Sequence, residues 1–140
     1  MSVKKIAFFT RANFSSHIQI GWAFLDAVEK NSRDDEWDVA MYEVHAADLE
    51  VMYEQMKILH EQDFDLIVAV GALRAQVAAN YVREHKLKTP MIFVGVSNPV
   101  GLGILPQMKA HTNITGIYTH YISREFMARL IYRIKPQTKR

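Results

Sequence analysis

Cysteine is absent from the 140-residue chain, which excludes thiol catalysis, zinc-thiolate sites and iron–sulfur clusters. The absence does not fix a compartment, because a cysteine-free chain suits cytosol and periplasm alike. Charge of one sign is also scarce: 17 Lys and Arg stand against 15 Asp and Glu, leaving +2. The surplus gathers at the extreme end, in Lys135, Lys139 and Arg140. No basic stripe or recognition motif accompanies it, so a nucleic-acid partner is not expected. Long apolar runs are missing too. Leu66 to Ala72 and Met91 to Val96 fall far short of the roughly 20 residues a membrane helix needs. The start, Met1-Ser2-Val3-Lys4-Lys5, passes straight into Ile6-Ala7-Phe8-Phe9 without the apolar stretch and cleavage site of a signal peptide. The chain is therefore expected in the cytoplasm, or, if an export signal has been removed, outside it as a periplasmic or lipoprotein-anchored protein.

What is present is the composition of an ordinary globular domain, 49% hydrophobic and 23% charged. Its length suits a single domain, residues 1–140, that buries enough surface to fold without disulfide or metal. Short apolar runs alternate with segments of helical period. Lys5 to Thr10 reads as a strand. Ser15 and Ser16 offer a cap to a helix whose apolar stripe is Ile18, Trp22, Leu25 and Val28. Trp37, Val39 and Met41 alternate as a second strand would. Leu49, Met52, Met56 and Leu59 mark a second helix. Leu66 to Val70 is a continuous apolar run suited to a strand buried on both faces, and it ends at Gly71. Ala72 to His85 reads as a helix rich in small residues. Met91 to Val96 follows Pro90 as a fourth strand, and Ile114 to Tyr118 forms a fifth after the loop Ser97 to Asn113. Ile122, Phe126, Leu130 and Ile134 mark a last helix, stopped by Pro136.

This alternation predicts an α/β fold, a three-layer open parallel sheet with helices on both faces. Ligands of such sheets bind at the carboxyl ends of the strands, near the point where strand order reverses. Three segments are thereby singled out: Thr10 to Ser16, Gly71 to Ala72, and Val96 to Pro99. In the first, Thr10, Asn13, Ser15 and Ser16 bring hydroxyl and amide groups to a helix N-terminus, which favours an anion. The same residues serve equally well as ordinary caps and turns. At Gly71-Ala72, glycine lets another molecule approach the main chain closely.

Other chemistries fit poorly. Gly101-Leu102-Gly103 begins like a dinucleotide fingerprint, but Pro106 occupies the place of the third glycine, and no Walker A sequence is present. A phosphorylated receiver domain needs acidic residues after the first strand and at the end of the third, where this chain has Thr10-Arg11-Ala12-Asn13 and Val70-Gly71. The flavin phosphate loop of a flavodoxin-like enzyme is only loosely imitated by residues 10–16. None of His17, His45, His60, His85, His111 and His120 forms an i, i+4 pair, so no metal site is expected, and most read as surface residues. Met52 and Met56 read as core. No catalytic residue and no cofactor is called for, and the chain is not expected to be an enzyme.

Asp65 to Gln76, Thr89 to Gly101 and Asn113 to Gly116, taken together, resemble the ABC-transporter substrate-binding protein family that includes tryptophan- and tyrosine-type binding lipoproteins. The resemblance runs along the whole chain in order. It implies one lobe of a periplasmic-binding-protein-like (type I) fold, in which two lobes close on a small organic ligand, an amino acid or related carboxylate, for delivery to an ABC permease. It transfers ligand contacts to Thr10 and the hydroxyls after it, to Gly71 and Ala72, and to Ser97 and Asn98. Ala72 stands where the family commonly has threonine and Asn98 where it has aspartate. Members of the family continue beyond a helix like Leu130 to Pro136 into a second lobe, so the chain is expected to correspond to the N-terminal lobe. A stand-alone cytosolic sensor or interaction domain, pairing as a homodimer through the face a second lobe would cover, is the alternative, with a flavodoxin-like enzyme behind it.

Overall fold

The computed structural model describes residues 3–11, 15–31, 37–44, 48–108, 112–118 and 124–136. Five strands, β1 (Lys4–Arg11), β2 (Trp37–Val44), β3 (Leu66–Val70), β4 (Met91–Val96) and β5 (Ile114–Tyr118), alternate with helices α1 (Ser15–Asn31), α2 (Leu49–Glu61) and α3 (Ala72–Glu84), and α4 (Arg124–Ile134) follows. The sheet is parallel throughout, in the order β2-β1-β3-β4-β5. The chain therefore moves from β1 outward to β2, then crosses back to the other side of β1, so the strand order reverses between β1 and β3.

The reason these two strands lie at the centre is their composition. Ile6, Phe8, Val68 and Val70 point to one face and pack with Ile20, Phe24 and Val28 of α1. Ala7, Phe9, Ile67 and Ala69 point to the other and join Met52, Met56 and Leu59 of α2 and Ala75, Ala78, Ala79 and Val82 of α3 in the larger core. A strand apolar on both faces is stable only with helices on both sides. The small residues of α3 let its axis lie close to the sheet. Asp48 caps α2, its Oδ1 accepting from the Glu50 and Val51 N–H groups at 3.0 and 3.2 Å, which satisfies two otherwise orphaned donors. Asp65 ties the start of β3 to β1: its carboxylate accepts from the Lys5 N–H at 2.8 Å and from Lys4 Nζ at 3.1 Å. These donors hold its carboxyl below the usual range.

Two expectations are corrected. The stripe that α1 packs against the sheet is Ile20, Phe24 and Val28, of which Val28 is as expected, whereas Ile18 and Trp22 stand exposed at 42% and 68%. Both stripes have helical spacing. The sheet selects the one whose Phe24 ring meets Phe8 at 5.3 Å between centroids. In α2, Met52, Met56 and Leu59 are buried as expected but Leu49 is exposed, because it occupies the first position of the helix, beyond the edge of the core. Ile122 lies outside the described residues.

The loop after β4 is pinned to α3. Arg83 donates to the Ile104 and Gly103 carbonyls at 3.0 and 2.6 Å, and Gln76 donates to the Leu102 carbonyl at 3.0 Å. Ile104 and Leu105 are drawn into the core, which fixes where the chain leaves β4.

Candidate functional site

At the carboxyl ends of the central strands the backbone dictates the geometry first. β3 turns into α3 at Gly71, with φ +87° and ψ 156°, a conformation open to glycine and strained for residues with a Cβ. A Cβ there would also lie 2.7 Å from Cε1 of His17, so the imidazole rests directly against the Gly71 α-carbon. The Gly71 N–H is spent on the Val94 carbonyl at 2.9 Å. α3 begins at Ala72 with no side-chain cap and no acidic residue in its first turn, and α1 likewise has no acid in its first turn. The first N–H groups of a helix so arranged, with the positive end of its dipole, make an anion-binding position.

Thr10 stands beside it. β1 and β3 are in register at Phe9 and Ala69, so Thr10 runs level with Val70, and alternation turns it to the same face as Phe8 and α1. It is 2% exposed, and its Oγ1 meets no hydrogen-bond partner among the described residues. A buried hydroxyl in that state carries a desolvation cost of about 1–3 kcal/mol, which a ligand oxygen would offset.

The His17 imidazole and the Arg74 and Arg11 guanidiniums act on one another electrostatically. Arg74, on the first turn of α3, is only 4% exposed. Burial first, then the charges of Arg74 and Arg11, hold the His17 imidazole below its ordinary pKa. Burial and Arg11 push Arg74 down in the same way. Depression of this kind is what burial and neighbouring like charge produce together.

Of the residues the sequence singles out, the structure brings Thr10, Gly71 and Ala72 together at the reversal of strand order. Ser15 opens α1 and Ser16 is exposed on its first turn. Asn13 lies outside the described residues. Ser97 is exposed just past β4, on the far side of β3 from Thr10. The Asn98 side chain closes its own turn, Oδ1 accepting from the Gly101 N–H at 2.9 Å. Arg11, His17 and Arg74 escaped the sequence reading. The available signal was positional: each lies within four residues of a strand's carboxyl end or on the first turn of a following helix. A concavity lined by Leu59, His60, Phe64, Leu87 and Thr89 among others opens at the amino ends of β3 and β4, where helices terminate instead of begin. Among the described residues, no group of three or more His, Cys, Asp or Glu could hold a metal ion, and no helix is long and apolar enough to cross a membrane.

A conserved domain protein from Vibrio cholerae superposes with a TM-score of 0.79 at 17% identity, over 97% of this chain and 45% of its own. An ABC domain in complex with L-Trp, from Streptococcus pneumoniae, gives 0.78 at 23% identity, over 99% and 45%. A ligand-free, open substrate-binding protein with adhesive properties from Clostridium difficile gives 0.75 at 24% identity, over 98% and 45%. The chain thus spans under half the length of these solved structures, and it has the α/β architecture of one lobe of a periplasmic-binding-protein-like type I fold. No curated protein sequence matches it. The family model for ABC transporter substrate binding protein matches residues 16–140, and the chain belongs to that family.

Proposed function

We propose that this chain is the first lobe, residues 1–140, of a two-lobed solute-binding component of an ABC-type importer, which captures a small organic carboxylate without covalent chemistry and presents it to a permease outside the cytoplasm. One observation carries the reading. At the reversal of strand order, α3 starts at Gly71 without a side-chain cap, and on the neighbouring strand the buried Thr10 Oγ1 meets no hydrogen-bond partner among the described residues. The L-Trp held by the Streptococcus pneumoniae domain supports an amino acid or related acid as the ligand class. The N–H groups of α3 would hold the carboxylate, Thr10 would bond one of its oxygens, and Ser97 at the end of β4 would contact the body of the ligand. Capture by the two-lobed form would be tighter, because closure surrounds the ligand.

Titration calorimetry against a panel of amino acids and small carboxylic acids tests this, on the chain alone and, if a longer gene encodes a second lobe, on the two joined. A saturable isotherm with one or more acids is the expected result, and heats of dilution alone across the whole panel would overturn it.

A further inference from the structure

At the end of the sheet away from Gly71, the C-termini of α2 and α3 and the amino ends of β3 and β4 border a concavity of about 360 Å³, within the range of roughly 300–1,000 Å³ common to small-molecule sites. Its floor is apolar: Leu59, Phe64 and Ile67 are buried and Leu87 is half-buried. Its rim carries Lys86, Lys88 and, with the opposite sign, Asp63. Neither lysine makes an ion pair or a side-chain hydrogen bond among the described residues. A helix C-terminus ordinarily attracts a cation through its open carbonyls. Here the carbonyls of Ile58 and His60 in α2, and of Tyr81, Val82 and Arg83 in α3, are already taken by N–H groups of the turns that follow, which leaves the two ammoniums as the donors without a partner. The backbone that bears them is fixed. Lys86 sits at φ 52°, the Leu87 N–H donates to the Val82 carbonyl at 2.9 Å, and Asn113 Nδ2 donates to the Leu87 and Thr89 carbonyls at 3.0 and 2.9 Å.

We propose that this concavity is a second binding site, separate from the one at Gly71, for a small monocarboxylate with an apolar aryl or alkyl body. The body lies on Phe64, Ile67 and Leu87, and the carboxylate stays at the rim, where Lys86 and Lys88 reach it from one short segment. Two ammoniums against the single Asp63 carboxylate make the rim positive, so ligands with the same body rank with the carboxylate first, a neutral amide second and an amine last. Because hydrogen bonds already hold the rim's backbone, little of it has to be ordered when the ligand arrives. The site lies at the opposite ends of the strands from Gly71, and it stands independently of the solute-binding reading above.

The probes are 3-phenylpropionate, 3-phenylpropionamide and 3-phenylpropylamine, which share a body and differ in charge, titrated into the wild-type chain, Lys86→Gln, Lys88→Gln and the double variant. Binding is read from the backbone amide resonances of Phe64, Leu87 and residue 88 at this site, and of Gly71 and Ala72 at the other. The carboxylate is expected to shift the first set saturably, with an affinity at least about tenfold above that of the amide or the amine. Each single substitution should weaken it about two- to fivefold, and the double variant should bind the three probes alike. Both lysines are exposed and lie outside the core clusters, so the substitutions leave the fold in place. An amide or amine that binds there as tightly as the carboxylate, or a preference unchanged in the double variant, overturns the assignment. Resonances of Phe64, Leu87 and residue 88 unmoved by every probe overturn the site itself. Shifts confined to Gly71 and Ala72 overturn this site while supporting the solute-binding reading, so the two fail separately.

Discussion

Gly71 is held by two constraints that a single methyl group would violate together. Its φ of +87° costs a residue with a Cβ about 1–3 kcal/mol, and the same Cβ would press on the His17 ring at 2.7 Å. Gly71→Ala is therefore expected to lower unfolding free energy by that amount or more in urea titration. Adding His17→Ala should recover only the part due to the ring, and full recovery would show that the backbone conformation carries no strain. His17 itself makes stability depend on pH. Burial, Arg74 and Arg11 set its native pKa below the unfolded value near 6.5, so the unfolded chain binds the proton first. Its contribution is intact above the unfolded value and declines as pH falls through it toward the lower native one, then levels off. Melting temperature should drop between pH 7.5 and 5.5 by more in wild type than in His17→Gln, and equal drops would remove His17 as the cause. Arg74→Lys keeps the positive neighbour, whereas Arg74→Ala should raise the His17 pKa as followed by imidazole resonances. None of this was legible in the sequence. His17 looks like an ordinary surface residue on a separate helix, and only the placing of β1 beside β3 brings its ring onto Gly71.

At the level of elements, the sequence reading was good wherever one physical cause acts alone. β3, β4 and β5 begin and end where expected, because short, largely apolar runs rich in Ile and Val between turn residues admit few other readings. The carboxyl-end segments at Thr10 and Gly71 were legible for the same reason, since they follow from topology before any side-chain chemistry is considered. α1 was misread because its sequence offers two stripes of helical period, and periodicity cannot choose between them. The sheet's shape does: Phe24 stacks at a tilt on Phe8, Gly21 lets α1 approach that ring, and Trp22 is left 68% exposed. The two stripes separate cleanly by mutation. Phe24→Ala should cost about 2 kcal/mol through lost packing, while Trp22→Ala should stay within about 0.5 kcal/mol. Chemical denaturation of both variants measures this, and a larger loss at Trp22 would return the buried face to the stripe read from sequence.

Across the whole molecule, stability is distributed unevenly, and the pattern follows from strand order. β1 and β3 each have a strand on both sides and helices over both faces, so their amides can open only when most of the sheet does. α4 lies at the other extreme. Its described side chains are all exposed, with Phe126 at 57% and Ile134 at 76%, so most of its stability must come from its own turns and from pairs such as Glu125 with Arg129 at 2.6 Å. An exposed i, i+4 pair adds only about 0.3–0.5 kcal/mol, and an 11-residue helix is marginal by itself in water. Amide hydrogen exchange of the 140-residue chain should therefore show α4 exchanging at least about a thousandfold faster than the centres of β1 and β3. Leu130→Ala should leave the protection of those strands unchanged, because the side chain it removes is exposed and lies outside the two core clusters. If α4 instead shared the protection of β3, the helix would be part of the cooperative core, and its apolar residues would have to be counted among those that hold the site's strands in place.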